Sequence, residues 1–258
     1  MLTIKNYVRA ESLEEAYELN QKKSSRVIGG MLWMRLSNFN IQTAIDLSGL
    51  GLDTIEESPE EFSIGAMVTL RQLEEHQGLG AYTQGALGES LRHIVGVQFR
   101  NLATVGGSIW GRFGFSDVLT MFLALDTWVE LYQGGLMPLE EFARRRADRD
   151  ILVRLILKKR PARCCYVSHR NTRTDFPVLA VSAVCLEGQY QVAVGARPGR
   201  AVLLRDQEKI LEGGAAQGAE DFGRYAADRI PVGSNMRAQA EYRRHLCRVL
   251  TERAVREL

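Results

Sequence analysis

Between residues 165 and 206 the chain passes through four short apolar stretches in close succession: CYVSH, VLAVSAVCL, YQVAVGA and RAVLLRD. Each has strand length and is bounded by turn residues. Gly188 lies in the turn between the second and third, so the set predicts an antiparallel meander. A meander needs helices to cover it, and the sequence beyond reads as helical over about 207–213, 218–228 and 236–257. In the last of these Tyr242, Leu246, Val249, Leu250, Ala254 and Leu258 recur at helical spacing, which predicts one inward face. The arginines of that helix are expected on the solvated side, or as partner contacts.

The first half has a different texture. Ser12-Leu13-Glu14-Glu15 is a capping-box pattern opening a helix through about Lys22. RVIGG (26–30) reads as a buried strand running into a glycine turn, and TAIDLSGL (43–50) as another strand. A helix between short parallel strands is the small α/β arrangement of a nucleotide-binding lobe. The polar EESPEE (56–61) marks a boundary. FSIGAMV then reads as a strand, Thr69-Leu70-Arg71-Gln72 as a second capping box, 84–95 and 117–125 as helices, and TWVELY and DILVRLIL as strands. KKRPAR (158–163) is a second boundary.

Composition narrows the function. Of 258 residues 45% are apolar and 25% charged, an ordinary globular mix, and a net charge of +2 gives no reason to expect nucleic acid. The N-terminal MLTIKNYVRAESLEEAY has no apolar segment behind a basic start, so no signal peptide and a cytoplasmic location are expected. The longest apolar run, 118–125, is too short for a bilayer, so no membrane insertion is expected. Cys164, Cys165, Cys185 and Cys247 form no C-x-x-C pair and lie near no histidine at metal spacing, so no metal is expected on this chain. His76, His93, His169 and His245 show no ligand spacing either. Phosphate-loop, dinucleotide-fingerprint, nucleophile-elbow and zinc-protease motifs are absent, so no catalytic side chain is proposed. A chain carrying an organic cofactor needs none.

Two glycine pairs remain: Gly29-Gly30, and Gly106-Gly107 within NLATVGGSIWGRFGFSD (101–117). A diphosphate bound without lysine or metal needs converging main-chain N–H donors, and glycine lets the backbone approach. Thr104 and Ser108 add hydroxyls beside the second pair. Taken singly, each pair is equally a tight turn.

The wider arrangement resembles the FAD-binding subunits of molybdenum hydroxylases, the flavin modules of xanthine dehydrogenase, carbon monoxide dehydrogenase and their relatives. Arg100, Asn101, Ala103, Thr104, Gly106 and Gly107, followed by Ser116 and Asp117, meet the family's R-N-x-A-T-[IV]-G-G and downstream S-D elements. IGAMVTLRQLE (64–74), then Tyr166, Arg170 or Arg173, Asp175 and Phe176, and the closing RAQAEYRRHLCRVLTERA extend the match over nearly the whole chain. The resemblance implies an α+β fold: a two-lobed FAD-binding domain of the vanillyl-alcohol-oxidase type, with lobes 1–57 and 58–158, and a C-terminal domain 159–258 with a three- to four-stranded antiparallel sheet and helices.

It also implies roles. Val27, Ile28, Gly29, Gly30, Met31, Leu32 and Trp33 would form the first phosphate loop, and Thr104, Val105, Gly106, Gly107 and Ser108 the second. Asp117 would bond the flavin's polar end or ribityl chain, Ile94 would lie against the isoalloxazine, and Leu152 near the adenine. FAD would sit non-covalently between the two N-terminal lobes. Electrons would arrive from [2Fe–2S] centres of a small partner, a large partner would hold molybdopterin, and NAD⁺ would take hydride. Met31 replaces the family's hydroxyl residue, Ser108 its Asn or Asp, Gly114 and Phe115 stand where a Pro is common before S-D, and Ser168 replaces a Lys. These departures leave open a second reading, a structural or assembly subunit that keeps the fold without tight flavin binding.

Overall fold

The computed structural model describes all 258 residues and divides into two compact units. The first comprises 1–72, 97–111 and 127–158, and the second 73–96, 112–126 and 159–258. The stretch 58–158 thus contributes to both.

The first unit begins with a three-stranded parallel sheet built from β1 (Thr3–Arg9), β2 (Ser25–Ile28) and β3 (Asn40–Asp46), in the order β1-β3-β2. Helix α1 (Leu13–Asn20) connects β1 to β2 and is opened by Ser12, whose hydroxyl accepts the Glu15 N–H at 3.1 Å. Strand β1 escapes prediction because it is an exposed edge: TIKNYVR carries no inward stripe, and pairing with the buried β3 from Thr3↔Asn40 to Arg9↔Asp46 holds it. The unit's second sheet is antiparallel, in the order β4-β5-β8-β6-β7, from β4 (Ile55–Glu57), β5 (Glu61–Gly65), β6 (Thr127–Leu131), β7 (Gly135–Pro138) and β8 (Leu152–Lys158). Ala10, Ala16, Ile45 and Leu47 share one core with Leu52, Ile151 and Val153, which joins the two sheets.

Short helices fill the connections. Helix α2 (Leu70–Glu75) follows a reciprocal capping box: Thr69 Oγ1 accepts the Gln72 N–H at 3.1 Å, and Gln72 Oε1 accepts the Thr69 N–H at 2.8 Å. The helix expected over 84–95 is the shorter α4 (Ala86–Leu91), and a separate α3 (Gln77–Tyr82) precedes it, because Gln84 and Gly85 both take positive φ between the two. Helix α5 (Val97–Arg100) leads to α6 (Val105–Trp110), and α8 (Leu139–Arg144) follows β7. Around Gly106-Gly107 the residues read as strand, yet they form the first turn of α6. Thr104 caps it, its hydroxyl accepting the Gly107 N–H at 3.1 Å, and this cap offsets part of the low helix propensity of two glycines.

The second unit is the expected meander, β9 (Ala162–His169), β10 (Leu179–Leu186), β11 (Gln189–Gly195) and β12 (Val202–Arg205), all antiparallel in the order β12-β11-β10-β9. Glu187 and Gly188 both have positive φ, the geometry of a primed hairpin turn. Leu179, Val181, Ala183 and Cys185 of β10 pack toward α9 (Ala215–Arg229) and α10 (Ala240–Arg256). On the opposite face Ser182 meets the Met121 sulfur of α7 (Asp117–Leu123). Coverage on both faces explains why β10 is buried along its length.

Three expectations fail here. Residues 207–213 form turns rather than a helix, because Lys209 takes positive φ and the Asp206 carboxylate accepts the Ile210 and Leu211 N–H groups. Tyr242 faces outward at 45% exposure. Arg243, expected on the solvated side, is fully buried: its guanidinium donates to Val178 O (2.9 Å), Gly233 O (2.8 Å), Ala238 O (2.7 Å) and Asn235 Oδ1 (2.6 Å). That cage satisfies a charge periodicity alone would place in water.

Candidate functional site

A cleft of about 450 Å³ opens in the first unit, and it gathers residues far apart in sequence. Val27, Ile28 and Gly29 line it from the end of β2, Thr104, Gly106 and Gly107 from the start of α6, and Leu152 from the start of β8. The other residues of the two loops, Gly30, Met31, Leu32, Trp33, Val105 and Ser108, flank these without lining the cleft.

The two glycine pairs serve different ends. In the first loop the N–H groups of Gly29, Gly30, Met31 and Leu32 donate to no acceptor in the protein. Four consecutive unengaged donors beside a cleft are suited to an anion. A Cβ on Gly30 would lie 1.8 Å from Leu102 O, so that glycine is required by the fold itself. A Cβ on Gly29 would lie 2.6 Å from Thr104 Oγ1, so the two loops approach closely. In the second loop the main-chain donors from Val105 to Ser108 are already engaged. Val105 N–H reaches Val68 O and Gly106 N–H reaches Ala66 O, each at 2.8 Å, Gly107 N–H reaches Thr104 Oγ1, and Ser108 N–H reaches Thr104 O at 3.1 Å. Ser108 Oγ also donates to Thr104 O at 3.0 Å. The second pair therefore supplies a bare wall and no main-chain donors. Gly106 is needed because a Cβ would meet Ala66 O at 2.6 Å, whereas a Cβ on Gly107 would meet only Thr104 Oγ1, at 3.2 Å.

Met31 stands at φ 57° with its side chain packed against Ile28, Ile41 and Ala44, so it offers the cleft no polar group. Leu152, 5% exposed, gives an apolar surface at the other end of the lining. Sequence reasoning missed the cleft's polar rim: Asn20, Arg26, Asp148, Arg149 and Asp150. The basic runs KKSSR and ARRRADR were the only signal, and nothing in their spacing links residue 26 to residue 149.

Asp117 and Ile94 belong to the second unit. Ser116, not Asp117, caps α7, its hydroxyl accepting the Leu119 N–H at 3.1 Å. That leaves the Asp117 carboxylate to Arg170 (2.6 Å) and the Tyr166 hydroxyl (2.5 Å), both donating to Oδ1. Burial pushes the Asp117 carboxyl above the usual range, while the Arg170 charge and both hydrogen bonds pull it back. Burial and the Asp117 charge raise the Tyr166 phenol well above its ordinary value, so it remains a donor. Nearby, Arg237 chelates Asp175 and lies 4.9 Å above the Phe176 ring. Ile94 is half-buried. The four thiols form no disulfide, and burial pushes Cys164 and Cys247 up to about 12 and Cys165 to about 11, which disfavours the thiolate at these three.

A parallel α/β lobe beside an antiparallel sheet, with glycine loops facing one cleft, defines a nucleotide-cofactor domain followed by a separate meander domain. Residues 2–159 match the FAD binding domain in molybdopterin dehydrogenase, and 171–258 match the CO dehydrogenase flavoprotein C-terminal domain. The chain belongs to the FAD-binding medium subunits of the molybdenum hydroxylases. Among related proteins, YgfM, an uncharacterized protein of Escherichia coli (strain K12), is 28% identical, the match covering 96% of this chain and 93% of that one. The nicotine 6-hydroxylase medium subunit of Paenarthrobacter nicotinovorans is 24% identical, with 97% and 96% covered. The fold is that of a chain of reconstituted CO dehydrogenase from Oligotropha carboxidovorans (TM-score 0.87, 21% identity, 99% and 97% covered). It is also that of a chain of quinoline 2-oxidoreductase from Pseudomonas putida 86 (TM-score 0.80, 18% identity, 99% and 95% covered).

Proposed function

We propose that this chain carries FAD, non-covalently, as the electron-transfer subunit of a molybdenum hydroxylase of the xanthine dehydrogenase type. The observation that carries the reading is the row of unengaged N–H groups from Gly29 to Leu32 beside a cleft walled by Gly29, Gly106 and Gly107. A diphosphate accepts several converging N–H donors at once, and walls without side chains let it come close. Val27, Ile28 and Leu152 offer apolar surface to the adenosine half, and the capped turn from Thr104 to Ser108 holds the second wall rigid. On the family resemblance Asp117 and Ile94 serve the flavin end, with Tyr166 and Arg170 orienting the Asp117 carboxylate. When bound, FAD supplies one-electron uptake and hydride release. The chain's own residues bind, orient and exclude water, and none is asked to move a proton.

The name of the Paenarthrobacter relative, a medium subunit, supports a larger and a smaller partner; on the family resemblance the larger binds molybdopterin, the smaller carries [2Fe–2S] centres, and NAD⁺ is the final acceptor. The Met31 side chain, packed away from the cleft, favours one rival: the same subunit with weak flavin retention and an assembly role. Purification of the chain, alone and with co-expressed partners, tests both. Yellow protein that releases FAD on denaturation, and a complex that reduces NAD⁺, support the proposal. A colourless chain that takes up no added FAD rejects it in favour of the rival.

A further inference from the structure

Helix α6 carries one large aromatic side chain into the lining of the cleft. Trp110 stands four residues after Gly106 and three after Gly107, so the three share one face of α6, and all three line the cleft. The bare wall made by the glycines therefore ends, one turn on, at an indole. That indole is half-buried and braced: its ring lies 5.8 Å from that of Phe142, tilted by 47°, and Phe142 is fully buried in α8. The lining around it is apolar, with Met67, Ile151 and Leu152 joining Val27 and Ile28. The first loop's unengaged donors begin beside the other end of α6, where a Cβ on Gly29 would lie 2.6 Å from the hydroxyl of the Thr104 cap. Six residues of helix, from that cap to Trp110, span about 9 Å. This is the reach of a nucleoside beyond its 5′-diphosphate.

Aliphatic walls give a base a dry surface without preferring a flat one. An aromatic ring adds a face with its own quadrupole, and offset stacking on it is worth more than the area it covers. A ring already held by a buried neighbour loses little freedom when a ligand stacks on it. We infer that Trp110 is the aromatic wall on which this cleft stacks the adenine base of its cofactor. The inference rests on the flavin reading above and adds the residue that makes the cleft prefer a ligand with a planar base.

The test uses the full chain freed of flavin, with FAD, ADP and pyrophosphate as probes in calorimetric titrations. Trp110→Leu keeps an apolar side chain against Phe142 but has no ring. It weakens FAD and ADP about fivefold or more, in line with the loss of one stacked base, and leaves pyrophosphate unchanged. Trp110→Phe recovers most of the loss, because a ring is restored. ADP also quenches tryptophan emission in the parent more than in Trp110→Phe, where only Trp33 and Trp128 remain. Equal affinities of the Leu and Phe variants for FAD and ADP overturn the inference while FAD binding by the parent still stands. A pyrophosphate affinity that falls in Trp110→Leu by the same factor also overturns it, since the wall has then collapsed rather than lost a stacking face. A parent that binds neither FAD nor ADP removes the flavin reading and this inference together. Should the Leu variant fail to fold, equal quenching in the parent and Trp110→Phe overturns the inference, and a smaller quench in the variant supports it.

Discussion

Gly107→Val separates the fold from the ligand more cleanly than any other change to the loops. The residue lines the cleft, and a Cβ there meets only Thr104 Oγ1, at 3.2 Å, so the neighbour needs to give by a few tenths of an ångström. Valine is a slightly better helix former than glycine, a gain of a few tenths of a kcal/mol in α6. Against this stands strain on the Thr104 cap, worth about 1 kcal/mol if lost. The apoprotein's stability should therefore move by no more than about 1 kcal/mol. The ligand should feel much more, because three carbon atoms now stand where a diphosphate would pass. A parent chain at a hundredfold excess of FAD over its dissociation constant gains about 2.7 kcal/mol, or roughly 5–11 °C at about 2–4 °C per kcal/mol. Thermal scans with and without FAD should show that shift in the parent and none in Gly107→Val, with matching midpoints for the two apoproteins. A variant that keeps the full shift would refute the placement of the diphosphate against this wall. One that no longer folds would refute the packing argument.

Three further outcomes are expected. Gly30→Ala should destabilise the apoprotein by about 1–3 kcal/mol or more in urea titrations, because its Cβ would overlap Leu102 O at 1.8 Å, a backbone atom that cannot step aside. Arg243→Met should cost on the order of 1–3 kcal/mol or more, leaving the carbonyls of Val178, Gly233 and Ala238 without their donor, and should lower the thermal midpoint even with FAD present. Asp175 is held below the usual carboxylate range, first by its hydrogen bond from Arg237. A depressed folded-state pKa gives stability that is present above the unfolded value of about 3.9 and is lost as pH falls through the folded one. Asp175→Asn should therefore lie below the parent in stability at neutral pH and converge with it in acid. A gap that persists unchanged in acid would show that the ion pair is not its cause.

What could be read from sequence was local. The capping patterns at Ser12 and Thr69 became caps with the expected donors, and Gly188 turned the hairpin its position announced. Each depends on residues within a few places of one another, so a short window contains the whole cause. The reading failed where a window holds only half of the interaction. VGGSIW looks like strand interrupted by glycine, and it is helix because Thr104 caps it and because Ala66 comes close enough to demand a residue without Cβ. Arg243 looks like one more solvated arginine, and it is buried because three loop carbonyls and Asn235 meet around it.

The sequence by itself determined the family, through R-N-x-A-T-x-G-G and its downstream S-D, and the kind of sheet that closes the chain. It also placed two glycine pairs where a phosphate is expected. Only the tertiary structure decided that the pairs differ. Ala66 O takes up the Gly106 N–H and Thr104 Oγ1 the Gly107 N–H, and no oxygen reaches the N–H groups of Gly29 and Gly30. Only the tertiary structure, too, brought Arg26 and Arg149 to one carbonyl. The physical reason is the short range of the hydrogen bond. Whether a donor is engaged depends on which distant oxygen arrives within about 3 Å, and folding alone sets that distance.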